Sequence, residues 1–154
     1  MESTVVLIAY GRHDRGRLFP RTRRQIDNLK EPLQKLIGDP GTGEYLVFHD
    51  GTLQAQETAE RIGFSFHAED GERDFLGCTT HTRPDEFDLG KACRLIEQAP
   101  QKKVVFVADQ TYLSDLARFY LNRLQKEDAT AGMSQGDAVV IETDGTLHRV
   151  SARD

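Results

Sequence analysis

Side chains that can take part in chemistry follow three short apolar runs of the sequence, at residues 5–9, 45–48 and 104–108. They are Tyr10, Arg12 and His13 after the first run, Asp50 after the second, and Asp109 and Gln110 after the third. Phenols, imidazoles and carboxylates serve as nucleophiles or as general acids and bases, and a guanidinium holds anions. These residue types indicate a catalytic or anion-binding site, provided that the three runs lie side by side in the fold.

The spacing of apolar residues predicts the elements that must position these side chains. Each of the three runs is rich in β-branched residues and predicts a strand buried on both faces. Helical spacing predicts four helices, in residues 26–37, 55–62, 87–96 and 113–124. Residues 138–142 and 146–150 flank a Thr-Asp-Gly turn and predict a β-hairpin. Within the first helix, Pro32 predicts a kink or a break near residues 30–31, because proline removes a backbone hydrogen bond.

Alternating strands and helices predict the fold class. The chain of 154 residues is expected to form one α/β domain, residues 1–154, with three α/β/α layers. Its sheet is expected to be doubly wound and mostly parallel, with an antiparallel C-terminal edge hairpin. Ligands of such sheets bind beyond the carboxyl ends of the strands, so the polar residues after the three runs are expected to share one cleft.

Composition and cysteine content narrow the class of protein. With 38% apolar and 29% charged residues, the chain is too hydrophobic for a disordered protein and too polar for a membrane protein. No run approaches the ~18 apolar residues of a membrane span, and the first four residues lack a basic signal-peptide region. We therefore expect a cytoplasmic protein with no membrane contact. Cys78 and Cys93 lack CxxC spacing and are expected to be free thiols, with any redox role left open.

The charge is distributed unevenly along the chain. A net charge of −5 argues against general nucleic-acid binding, yet six arginines lie between Arg12 and Arg24. Such a cluster is typical either of a site for an anionic partner or of a solvated helix face, and the sequence leaves both open. The five histidines show no metal-ligand spacing and no GxGxxG loop occurs, so neither a metal nor a cofactor is expected.

Four segments match, in order along the chain, the motif pattern of one enzyme superfamily. Residues 9–11 (Ala-Tyr-Gly) stand where the pattern has R-H-G, and residues 14–25 stand where it has D-R-P-L-T-P-x-G-R-R-Q. Residues 50–60 resemble S-P-x-x-R-A-x-Q-T-A-E, and residues 108–117 resemble G-H-Q-P-x-L-S-x-L-A. The chain thus resembles the histidine phosphatase (phosphoglycerate-mutase-like) superfamily, in particular its small bacterial phosphohistidine-phosphatase branch.

The resemblance implies a pocket that has lost the residues of the reaction. The family uses a nucleophilic histidine, a second histidine beside it and two arginines that hold the phosphoryl oxygens. At the matching positions this chain has Tyr10 for the nucleophile, Asp109 for the second histidine, and Ala9 and Gln54 for the arginines. The residues that the resemblance implies as lining the pocket are Tyr10, Gly11, Arg12, His13, Asp50, Gln54, Asp109 and Gln110.

Two functions follow from this pattern and remain open. One is a catalytically inactive pseudophosphatase with a binding, regulatory or structural role, whose partner is an anionic small molecule or a protein. The other is a hydrolase or phosphatase with altered chemistry that uses Tyr10, His13, Asp50 or Asp109 in the same pocket.

Two details of the pocket also remain open. Arg12-His13-Asp14 is an alternative match to the degenerate R-H-G, and Arg12, Arg15 or Arg17 could reach into the pocket and hold an anion. Asp14 and Glu72 are candidates for the acid that would protonate a leaving group. The sequence determines neither the ligand nor the oligomeric state.

Overall fold

The computed structural model describes residues 4–38, 45–64, 74–75, 78–80, 89–98, 103–125 and 133–151. The strands in these residues are β1 (Thr4–Ala9), β2 (His13–Asp14), β3 (Arg17–Leu18), β4 (Tyr45–His49), β5 (Asp74–Phe75), β6 (Cys78–Thr80), β7 (Lys103–Ala108), β8 (Ala138–Ile141) and β9 (Leu147–Val150). The helices are α1 (Pro20–Ile37), α2 (Leu53–Ile62), α3 (Leu89–Glu97) and α4 (Gln110–Arg123). Of the residues considered above, Glu72 lies outside the described residues, and so do the first two residues of the third predicted helix, 87 and 88.

Seven of the strands form one sheet in the order β5-β6-β4-β7-β1-β8-β9. The neighbours β6, β4, β7 and β1 run parallel, whereas β8 and β9 run antiparallel at the C-terminal edge. This is the predicted mostly parallel sheet with an antiparallel edge hairpin. In the ladder, Ala9 lies opposite Ala108 and His49 opposite Val107, so the carboxyl ends of the three central strands meet at one edge.

Helices cover both faces of the sheet, as the predicted three layers require. Along β1, Leu7 and Ala9 pack with α3 and α4, whereas Val6 and Ile8 pack with α1 and α2. Each fully buried aliphatic side chain stabilises the fold by roughly 1.5–3 kcal/mol. The two apolar layers therefore hold the edge of the sheet that carries the polar residues. No helix among the described residues is both long and apolar enough to cross a membrane.

Helix α1 shows that the break expected near residues 30–31 does not occur. It runs without a break from Pro20 to Ile37, although Pro32 lies inside it. The missing hydrogen bond and the ring clash cost about 3 kcal/mol. The buried side chains of Ile26, Leu29 and Leu33 offset this cost, because each contributes roughly 1.5–3 kcal/mol by packing beneath the sheet.

The sequence pattern did not predict the short hairpin of β2 and β3. Its turn consists of Arg15 and Gly16, whose φ angles of 52° and 86° are both positive. Two positive φ values are typical of a type I′ turn, which matches the twist of hairpin strands. The hairpin carries Arg15 and Arg17 on exposed backbone beyond the end of β1.

Cys93 is a free thiol that is completely buried on α3, as expected for this residue. Burial raises its pKa from the ordinary 9.0 to about 11. Because the pKa is higher in the folded chain, the protonated thiol stabilises the fold below pH 9, and this contribution disappears as the pH rises through 11. We expect the free energy of unfolding to fall by about 2–3 kcal/mol over this window. Urea denaturation at each pH measures the fall, which should be clearly smaller in Cys93→Ala; an equal fall in that variant would contradict the assignment.

Candidate functional site

Four of the residues singled out from the sequence lie together at the carboxyl edge of the sheet. The Tyr10 hydroxyl donates a hydrogen bond of 2.8 Å to Asp50 Oδ2, although the two residues are 40 positions apart. The side chain of Gln54 lies close enough to the same Tyr10 hydroxyl to lower its pKa. The ring of His13 meets the Tyr10 ring edge to face, with 5.7 Å between centroids. We call Tyr10, His13, Asp50 and Gln54 the Tyr10 cluster.

Local backbone geometry holds Asp50 in this cluster. The carboxylate follows β4 directly, and its Oδ1 accepts hydrogen bonds from both the backbone N–H and the hydroxyl of Thr52. Gly51 lies between them with a φ of 80°, which glycine adopts without steric cost. Thr52 in turn caps α2, because its Oγ1 accepts from Ala55 N at 3.3 Å. Both oxygens of Asp50 are thus engaged, one by the turn and the other by Tyr10.

The surroundings of Tyr10 keep its hydroxyl protonated. Burial raises its pKa most, the hydrogen bond to Asp50 and the charge of Asp50 raise it further, and the charge of Asp109 adds a smaller increase. Only the nearby side chain of Gln54 lowers the pKa. A phenol with a raised pKa is a hydrogen-bond donor at neutral pH and a poor nucleophile.

Asp109 and Ala9 have structural roles of their own. Asp109 is exposed and caps α4, where its Oδ2 accepts from Thr111 N at 2.9 Å. Ala9 is fully buried at the end of β1, and its side chain packs in the layer of α3 and α4. The backbone of Ala9 is also hydrogen-bonded to the segment before β8. Its N–H donates to Asp137 O and its carbonyl oxygen accepts from Gly136 N, both at 3.0 Å.

Arg12 and Gln110 contribute to a different feature, an open cleft of about 940 Å³. Its walls are the first turns of α1, the start of α4 and residues 133–135 before β8. Three arginines line it, Arg12, Arg21 and Arg24, and we call it the arginine cleft. Tyr10, Asp50 and Gln54 are not among the described residues that line it, and neither are Arg15 and Arg17.

Gly11 joins the two regions. It is buried against Thr22 of α1, and a Cβ at this position would collide with Thr22 Cγ2. The start of α1 therefore packs directly on the backbone that follows β1. Arg12, on one side of Gly11, lines the arginine cleft beside α1. Tyr10, on the other side, contacts Asp50 just before α2.

Sequence reasoning missed the contribution of α1 to the arginine cleft. Arg21 and Arg24 entered the sequence analysis only as members of the arginine cluster. The signal that could have found them is the spacing of positions 21, 24, 25 and 28, which share one helix face.

The fold resembles solved structures over almost the whole chain. The protein histidine phosphatase SixA complexed with tungstate matches with a TM-score of 0.66 and 13% identity, over 97% of this chain and 97% of that chain. A phosphoserine phosphatase mutant from Entamoeba histolytica in complex with phosphoserine matches with a TM-score of 0.60 and 11% identity, over 98% of each chain. Phosphoglycerate mutase from Plasmodium falciparum matches with a TM-score of 0.55 and 15% identity, over 97% of this chain and 92% of that chain.

These likenesses define the class of fold. The chain has the α/β fold that histidine phosphatases and phosphoglycerate mutases share, as its sequence resemblance predicts. Neither a protein-family model nor a curated protein matches the sequence. At 11–15% identity the likeness concerns the fold, and what the site does has to be argued from its own residues.

Proposed function

We propose that this chain is a catalytically inactive histidine-phosphatase-like domain with a binding role, and that it works in the cytoplasm. The observation that carries the proposal is the hydrogen bond between Tyr10 and Asp50. The sequence resemblance implies a nucleophilic histidine at position 10. In this chain the residue at that position is Tyr10, whose protonated hydroxyl donates a hydrogen bond to the Asp50 carboxylate.

The charges of the Tyr10 cluster also oppose phosphoryl binding. A phosphoryl dianion is held by cationic donors, and each hydrogen bond to a charged group contributes about 1.5–3 kcal/mol. Ala9 and Gln54 supply no charge at the two positions implied for arginines, and Asp50 and Asp109 add negative charge beside Tyr10. Losing two such contacts weakens binding of the transition state by roughly 3–6 kcal/mol. This loss corresponds to a reaction that is about 10²–10⁴ times slower.

One observation favours the alternative, a hydrolase with altered chemistry. The Tyr10 hydroxyl contacts Asp50, and Thr52 orients Asp50, which is the geometry of a nucleophile, its base and an orienting group. As a nucleophile, however, the tyrosine would have to pass its proton to the aspartate. Because the ordinary pKa values of the two residue types differ by about 6 units, this transfer costs roughly 8 kcal/mol. The raised pKa of Tyr10 increases this cost further. We therefore rank the inactive domain first.

A phosphatase assay tests this proposal. We expect no turnover above background on a generic aryl phosphate or on phosphohistidine. If turnover is found, Tyr10→Phe and His13→Ala decide whether it belongs to this pocket. The matched control is Tyr45→Phe, which removes a tyrosine hydroxyl at the opposite end of β4, where it donates to Ile37 O at 3.1 Å. Turnover that disappears in Tyr10→Phe but survives in Tyr45→Phe would replace the inactive domain with the altered hydrolase.

A further inference from the structure

One face of α1 gathers cationic and amide side chains in the arginine cleft. Arg21, Arg24, Gln25 and Asn28 follow one another at intervals of three, one and three residues, and all four line the cleft. Residues at this spacing share one face of a helix. Arg12 adds a third guanidinium from the segment after β1.

The residues that form ion pairs between α1 and α2 do not line this cleft. On the side of α1 that packs against α2, Arg23 pairs with Glu57 at 2.7 Å, and Asp27 pairs with Arg61 at 2.9 Å. Arg12, Arg21 and Arg24 form no ion pair with any residue in the described ranges, and no acidic residue is among those that line the cleft. Among the described residues, none therefore compensates the three guanidinium charges on this concave surface.

The N-terminus of α1 adds to the positive potential of the cleft. Its N-cap residue, Phe19, makes no side-chain capping bond, and the first turn contains no acidic residue. The first backbone bond at this end runs from Arg23 N to Phe19 O at 2.9 Å, so the amides of Arg21 and Thr22 precede it. Such amides carry partial positive charge and favour phosphate groups.

The opposite wall of the cleft is held in place against α1. Gln25 Nε2 donates to Gln135 O at 3.3 Å, and Met133 N donates to Ser114 Oγ at 2.9 Å. A Cβ at Gly136 would displace the amide group of Gln25, and the φ of 79° at this position also favours glycine. The cleft is thus formed without a ligand, which lowers the entropic cost of binding.

We propose that the arginine cleft binds a small ligand that carries two or three linked phosphate groups. Three guanidinium groups and a helix N-terminus can neutralise more charge than one phosphate carries, and arginine binds phosphate oxygens bidentately. The volume of about 940 Å³ lies within the range of small-molecule sites. This inference goes beyond the inactive-phosphatase proposal and does not depend on the state of the Tyr10 cluster.

Calorimetric titration of the full chain with sodium tripolyphosphate tests this inference. We expect a dissociation constant of roughly 10–100 µM at low salt, at least about tenfold tighter than for orthophosphate. Arg21→Gln/Arg24→Gln should weaken tripolyphosphate binding by about tenfold or more. The matched control is Arg94→Gln/Arg118→Gln, which removes the same charge from exposed positions on α3 and α4. The control should change binding by less than about twofold.

The outcomes separate the inference from its alternatives. Absence of binding at millimolar tripolyphosphate, equal affinity for orthophosphate, or equal weakening in both double variants would overturn it. Titration with ATP identifies the source of the phosphate groups. An affinity for ATP equal to that for tripolyphosphate supports recognition of the phosphate chain alone, and a higher affinity for ATP supports a nucleotide. Phosphatase turnover is not measured in this titration, so its result leaves the proposal for the Tyr10 cluster untouched.

Discussion

Placing arginines and histidines at positions 9, 10, 54 and 109, as in the phosphatases that the sequence resembles, is expected to produce anion binding. The unchanged chain should bind vanadate with a dissociation constant in roughly the millimolar range or weaker. The variant Ala9→Arg/Tyr10→His/Gln54→Arg/Asp109→His should bind it at least about 100-fold more tightly, because two charge-assisted contacts are regained. Tyr10→His alone should gain nothing, since an imidazole beside Asp109 tends to be protonated and still has no partner that holds a dianion.

The structure adds a condition to this experiment. Ala9 packs in the core with α3 and α4, so an arginine at position 9 threatens the fold. The triple variant that keeps Ala9 avoids this problem and should gain about tenfold from Gln54→Arg, because Gln54 already reaches the hydroxyl of Tyr10. Titration in the Arg21→Gln/Arg24→Gln background removes any contribution of the arginine cleft. A folded triple variant that binds vanadate no better than Tyr10→His would show that the pocket backbone has diverged from that of a phosphatase.

Removing the Asp50 carboxylate is expected to cost more stability than removing an aspartate from an ordinary turn. Asp50→Ala takes the acceptor from the Tyr10 hydroxyl and from both donors of Thr52, so we expect a loss of about 2–4 kcal/mol in the free energy of unfolding. The matched control is Asp144→Ala in the β8–β9 turn. There Asp144 Oδ1 accepts from Thr146 N at 2.8 Å in an exposed loop, and the expected loss is about 1 kcal/mol or less.

A double-mutant cycle isolates the contact between Tyr10 and Asp50. Tyr10→Phe and Asp50→Ala should couple by about 1–3 kcal/mol, as residues in one hydrogen-bonded network do. Urea denaturation of the four proteins at neutral pH provides the measurement. A coupling energy near zero would mean that the phenol and the carboxylate do not stabilise each other, and the Tyr10 cluster would then lose its central contact.

The class of fold was predictable because the pattern that specifies it is local. Continuous β-branched runs at residues 5–9, 45–48 and 104–108 predicted the three central strands to within one residue at either end. Periods of two and about 3.6 residues are read directly from the chain. The break expected at Pro32 does not occur, since burial of α1 beneath the sheet outweighs a local helix-breaking signal.

The sequence by itself also determined at which positions this chain departs from the motif pattern that it resembles. Alignment of the motifs with the strand ends was enough to put Tyr10 and Asp109 at positions where the resemblance implies histidines. The tertiary structure decided what these residues do instead. Tyr10, after β1, hydrogen-bonds to Asp50, after β4, with β7 between the two strands, whereas Asp109 caps its own helix.

The arrangement of the arginines was decided by tertiary structure alone. The sequence shows six of them between Arg12 and Arg24 and cannot separate a binding site from a solvated surface. In the fold, Arg23 faces Glu57 on α2, Arg15 and Arg17 lie in an exposed hairpin, and Arg12, Arg21 and Arg24 line one cleft. Charge–charge distances depend on how α1 packs against α2 and against residues 133–136. Those contacts join segments far apart in the chain, which local sequence patterns do not encode.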